Sequence, residues 1–229
     1  MSGFDGFPKD FFPYFRDLAA NNNREWFNDH KPRYIATVVE PMSAFISAMA
    51  PRLKKISPHY RADPKPHGGS MFRIYRDTRF SKDKTPYKTH AACHFRHAAG
   101  KDAHAPGFYA HFEFDGLYFG GGVWRPASKQ LSIIRDAIVD APSAWNRIVN
   151  GKAIKAQGGL RGDGLKRPPR GYDPDHRHVE DLKRKSFYVM GEFEPGLLHS
   201  SEVLDAAETA YRAARPLNRF ITESLGLPF

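Results

Sequence analysis

The sequence predicts a single α+β domain over residues 1–229, in which an antiparallel sheet packs against N- and C-terminal helices. Three observations predict it. Apolar residues recur at steps of three and four in the first sixty residues and again after residue 202, which is helical spacing. Period-two alternation dominates residues 72–124, which is strand spacing. The 229 residues are 41% hydrophobic and 14% aromatic, enough to bury one sizeable core. No internal repeat, low-complexity tract or domain boundary interrupts the chain.

Taken in order, Phe11, Tyr14, Phe15 and Leu18 mark a first helix, which the Asn21-Asn22-Asn23 run ends. Asn23 is placed to cap the next helix. Tyr34, Val38, Met42, Phe45, Ile46, Met49, Leu53 and Ile56 form one apolar stripe of a longer helix. Pro41 and Pro51 should kink or divide it, because proline lacks an N–H and crowds the preceding turn. Residues 58–69 read as loop. From 72 to 80 alternation puts Phe72, Ile74, Arg76 and Phe80 on one strand face and Arg73, Tyr75, Asp77 and Arg79 on the other. After a turn at 81–86, residues 87–95 can return as the antiparallel partner.

Asp115-Gly116 signals a two-residue type I′ hairpin turn. Counting outward pairs Phe114 with Leu117, Glu113 with Tyr118, Phe112 with Phe119 and His111 with Gly120. Phe112, Phe114, Leu117 and Phe119 then share the apolar face, and Tyr109, His111, Glu113 and Tyr118 the polar one. Ser128 is placed to cap a helix with Leu131, Ile134, Ala137 and Ile138 inward. Pro142 suits the first turn of the next helix. Residues 151–172 read as loop, 179–184 as a short helix and 187–193 as a strand. The tail from Glu202 is helical, with Leu204, Ala207, Tyr211 and Ala214 inward.

The net charge of +10 favours polyanionic or anionic partners without choosing among them. Cys93 stands alone, so no intrachain disulfide can form. The charged residues among Phe4, Phe7, Phe11 and Phe12 do not suit a signal peptide, and no apolar run approaches membrane-helix length. The expectation is a cytoplasmic protein without membrane contact.

The richest segment is 73–88, with six basic and two acidic residues and a net of +4; segment 161–185 carries a net of +3. Arginine forks match phosphate and carboxylate oxygens. Arg73, Arg76, Arg79, Lys82, Lys84 and Lys88 are therefore the candidate anion-binding groups, with Arg167 and Arg170 closing over them. Arg73 and Arg79 share a strand face. Arg76 lies with the apolar residues and needs a fixed partner, either Glu113 or Asp77 in a structural salt bridge or a ligand. The turn Ser81-Lys82-Asp83-Lys84-Thr85 lacks P-loop glycines, which excludes that mode of nucleotide binding. Gly120-Gly121-Gly122 is no dinucleotide fingerprint; it lets a backbone or ligand approach the hairpin closely.

His90, His94 and His97 invite a metal reading, but His97 points elsewhere and no carboxylate sits at diagnostic spacing, so no metal and no cofactor are expected. His111 and Glu113 are strand neighbours, and with Asp77 they are the candidate proton-transfer groups. An ordinary solvated sheet face would hold the same pair. No nucleophile elbow, catalytic triad order or CxxC appears.

Two stretches, Asn22-Asn23-Arg24-Glu25-Trp26-Phe27 and the run from Phe72 to Lys88, resemble hallmarks of domain-of-unknown-function family 2461, found in bacterial and fungal proteins. Gly120-Gly121-Gly122-Val123-Trp124-Arg125-Pro126 and Leu165-Lys166-Arg167-Pro168-Pro169-Arg170-Gly171-Tyr172 are similar to its later motifs. A departure is His176-Arg177-His178, where the pattern implies a proline after the first histidine. The resemblance spans nearly the whole chain and implies one domain, without an established activity. The functional expectation is binding, with turnover left open, of a small phosphorylated or carboxylated anion. The alternatives are a nucleic-acid-binding module and a structural or protein-interaction domain with internally paired arginines.

Overall fold

The computed structural model describes residues 3–100 and 103–229. Helix α1 (Phe11–Ala20) ends at Asn21, and Asn23 caps α2 (Arg24–Asp29) by accepting the Trp26 N–H at 2.9 Å. Helix α3 (Lys31–Tyr34), a π-helical stretch (Ile35–Val39) and α4 (Glu40–Ile56) run on without a break. Pro41 and Pro51 therefore do not divide the helix. The wider π turn ends just before Pro41, where a normal turn would need the missing N–H.

The sheet has five antiparallel strands in sequence order: β1 (Tyr60–Arg61), β2 (Ala91–His97), β3 (Gly107–Glu113), β4 (Gly116–Val123) and β5 (Phe187–Phe193). Between β4 and β5 lie α5 (Ser128–Asp140), α6 (Pro142–Val149), α7 (Lys152–Ala156) and α8 (Val179–Leu182). The long α9 (Glu202–Ser224) follows β5.

One sheet face is the core. Phe95, Phe108, Phe112, Phe119, Phe187 and Val189 are fully buried there. Helix α9 crosses β4 and β5 on this side and meets the sheet closely at Gly121, where a Cβ would lie 2.8 Å from the Asn218 amide. Phe112 joins Phe7, Phe11 and Phe45 in one ring cluster, with centroids 5.0, 6.2 and 5.2 Å away, and this ties α1 and α4 to the sheet. A dozen large side chains buried in this way supply the main stabilisation, at roughly 2 kcal/mol each.

Six details differ from the sequence expectation. Segment 72–80 is no regular strand: only the bridges Met71 to Cys93 and Tyr75 to Tyr87 form. Ile74 is buried, whereas Phe80 is 94% exposed, because basic residues beyond Ile74 leave no apolar stripe to lay on the core. The return strand accordingly starts at Ala91. The β3–β4 hairpin pairs Glu113 with Gly116 and Phe112 with Leu117, two residues from the predicted register, with Phe114-Asp115 as its turn. Neither Asp115 nor Gly116 takes positive φ, so the type I′ turn is not used. Phe114 instead leaves the ladder, packing against Phe12 at 6.1 Å and under the Arg16 guanidinium at 3.7 Å. The shift is even, so the predicted division into faces survives for Phe112, Leu117 and Phe119. Ser128 begins α5 but does not cap it, and α7 interrupts the predicted loop 151–172.

Candidate functional site

The face of the sheet away from α9 carries a different set of side chains. β2 presents His94 and Arg96, β3 presents Tyr109, His111 and Glu113, β4 presents Tyr118, and β5 presents Tyr188 and Met190. A cavity of about 720 Å³ lies over this face. Its floor includes the backbone of Gly107 and Gly122, a pair on the open face that carries no side chains to fill it. Gly107 is also what lets the His94 ring lie on β3, since a Cβ there would fall 2.0 Å from His94 Nε2. Gly122 takes a φ of +148° and packs on the Phe187 carbonyl, a position open only to glycine. Trp124, its ring tilted against that of Tyr188 at 5.5 Å, and Arg161, whose backbone bridges to Tyr188, wall one end. Among the described residues, Arg96 and Arg161 make no carboxylate pair. Arg96 Nε donates to His94 Nδ1 at 3.4 Å.

At the other end a smaller hollow of about 150 Å³ shares Phe72 and Tyr109 with the cleft and adds Arg73, Lys88, His90 and Ala92. Here β3 and the bend before β2 assemble a cluster. His111 Nε2 lies 3.0 Å from a Glu113 carboxylate oxygen, and its Nδ1 lies 3.1 Å from the Tyr109 hydroxyl. The His90 ring sits 4.3 Å from that of His111. One donor atom from each of His90, His111 and Glu113 falls within 4.8 Å of the others. Burial, then His111 and Lys88, hold His90 down to about 4, with Glu113 opposing. Burial raises the Tyr109 phenol to about 12. A histidine between a carboxylate and a phenol can pass a proton along one line.

The structure separates the basic residues singled out in the sequence. Arg76 has an internal partner, but it is Asp83 at 2.5 Å, with the Thr85 hydroxyl beside it, rather than Glu113 or Asp77. Arg79 forks onto Asp77 at 2.9 and 2.7 Å on the exposed hairpin. That contact, through a short side-chain hydrogen bond, holds Asp77 down to about 2. The Thr85 backbone N–H, then Arg76, do the same for Asp83. Lys84 donates to the Thr78 carbonyl at 2.9 Å, and Lys82 is exposed. Lys88 donates to the Arg73 carbonyl at 2.9 Å and lies 5.5 Å over the Phe72 ring; burial, then Arg73, lower its pKa. Only Arg73 and Lys88 of this set border the hollow.

Arg167 and Arg170 do not close over the hairpin. Their loop is pinned to α5, where the Tyr172 hydroxyl donates to Asp136 at 2.8 Å, beyond the β5 edge of the sheet. Asp77 stands on the hairpin, away from His111 and Glu113. His97 points to the core side, 2.8 Å from the Pro228 carbonyl, as its strand parity predicts. Sequence reading missed Arg96, Arg161, Tyr118 and Tyr188 as a group, because the cleft is assembled across four strands. The available signal was the unusual load of rings and histidines on the strands' polar face beside three glycines.

No curated protein matches the chain, and no solved structure does. A family model described as a conserved hypothetical protein, DUF2461, matches residues 10–220, which include the whole cleft and the histidine–glutamate cluster, and the chain belongs to that family.

Proposed function

We propose that this domain binds a small anionic ligand, phosphorylated or carboxylated, in the cleft on the open face of the sheet. One observation carries the reading: a cavity of about 720 Å³, in the usual range for small-molecule sites, has arginines that find no carboxylate partner among the described residues, on a largely aromatic wall. Arg96 and Arg161 supply the forks that grip the anion, and Arg73 and Lys88 extend the positive potential into the adjoining hollow. Tyr109, His111 and Glu113 stand where they could move a proton on a bound ligand. The site thus lies beside the basic hairpin rather than on it, since Arg76 and Arg79 are held by Asp83 and Asp77.

The test is thermal unfolding in the presence of inorganic phosphate, sugar phosphates and aromatic carboxylates. At least one anion should raise the melting temperature of the wild type by a few degrees. Arg96→Ala and Arg161→Ala should abolish the shift, while Lys82→Ala and Arg79→Ala on the hairpin should keep it. If no anion in the panel stabilises the wild type, the reading fails.

A second reading has an observation of its own. An open antiparallel face bearing Tyr118, Tyr188 and a 64% exposed Trp124 in a chain of +10 charge suits stacking of single-stranded nucleic acid. It predicts affinity that collapses with salt.

A further inference from the structure

We infer that His90, His111 and Glu113 form a binding site for one divalent first-row transition metal, at the junction of the cleft and the smaller hollow. The inference goes beyond anion binding and does not depend on it. Its ground is spacing. Two ligands held about 2.1 Å from one metal at 90–110° lie roughly 3.0–3.4 Å apart. His111 Nε2 and the Glu113 oxygen already stand 3.0 Å apart, and a His90 nitrogen completes a set spanning no more than 4.8 Å. A small rotation of the His90 ring, which sits in the bend before β2 rather than on the strand, brings the third ligand in.

The surroundings suit the ligand chemistry. The Tyr109 hydroxyl lies 3.1 Å from His111 Nδ1. With a metal on Nε2, the ring proton resides on Nδ1 and is donated to Tyr109, the outer-shell partner that fixes a ligating imidazole. Two imidazoles and one carboxylate select transition metals over magnesium or calcium, and three protein ligands leave further coordination positions open. One carboxylate leaves the loaded centre with a net positive charge. The neighbouring Lys88, held to the Arg73 carbonyl at 2.9 Å, opposes it, so moderate rather than very tight affinity is expected.

The experiment is titration of chelator-stripped full-length protein with Co²⁺, followed by visible d–d absorption and calorimetry, with Zn²⁺ as competitor and Mg²⁺ as control. One equivalent of Co²⁺ should bind saturably and be displaced by Zn²⁺ but not Mg²⁺. His90→Gln and Glu113→Gln should each weaken binding tenfold or more, while His67→Gln, on a distant exposed loop, should leave it unchanged. Circular dichroism establishes that each variant is folded; if one is not, the other still decides. Absence of saturable Co²⁺ binding by the wild type, or undiminished affinity in folded His90→Gln and Glu113→Gln, overturns the assignment. Neither result depends on whether an anion binds the cleft.

Discussion

His94 packs against the backbone of Gly107, parallel to the Phe72 ring 6.4 Å away, and accepts a hydrogen bond from Arg96. Burial first, and Arg96 second, push its imidazole down to about 4. An unfolded histidine titrates near 6.5. Between these values the unfolded chain binds the proton and the native chain does not. The contribution to stability is therefore complete above pH 6.5 and is lost as pH falls toward 4. His94 alone should cost about 2 kcal/mol of unfolding free energy on going from pH 7 to pH 5. Urea unfolding at the two pH values should show this slope in the wild type and a shallower one in His94→Gln, with His90 supplying the remainder. An equal slope in both proteins would remove His94 as its source. At this scale, sequence legibility followed locality. Asn23 caps the helix that begins at Arg24 by accepting from the N–H three residues on, and this could be read directly. The meeting of His90 with His111 spans a strand connection, and no local spacing encodes it.

The basic hairpin 73–88 is the element where pattern and structure part. Period-two alternation is present, but a strand also needs a face to bury, and beyond Ile74 the hairpin has none. Its polar groups are satisfied from within: Arg76 links Asp83 and Thr85, Arg79 holds Asp77, and Lys84 reaches the Thr78 carbonyl. Such solvent-facing pairs, screened by water, contribute little to stability. Arg76→Ala should therefore lower the melting temperature by only a few degrees. It should still speed amide exchange selectively at 76–86, where Arg76 N–H bonds the Pro86 carbonyl. Uniformly faster exchange across β2–β4 would instead mean that the hairpin supports the sheet. The β3–β4 hairpin makes the complementary point. Its faces were legible from alternation alone. Its register was not, because the packing of Phe114 on Phe12 and Arg16 outweighed the turn preference of Asp115-Gly116.

For the whole molecule, the layered α+β arrangement was legible because it follows from two periodicities and a large apolar content. The site was not, because net charge and charge runs do not report which cations are free. Of the six basic residues at 73–88, four bond the hairpin's own groups, and the cleft draws on Arg96, which lies outside both basic segments, and on Arg161, the first residue of the second. This distribution sets a difference in salt response. A small anion held by two or three cations releases few counterions, so its affinity should fall about tenfold between 50 and 200 mM salt. A single strand tracking across Tyr118, Tyr188 and the basic edges would neutralise about six phosphates and should lose several hundredfold over the same range. Fluorescence anisotropy of labelled single-stranded DNA and RNA, beside calorimetry of the best small anion, measures both slopes on one protein. The confined cleft and its few arginines lead us to expect the shallow slope for the anion and no oligonucleotide binding at 200 mM salt. Tight oligonucleotide binding with the steep slope, lost in Trp124→Ala and Tyr188→Ala, would transfer the cleft from a metabolite to a nucleic-acid strand.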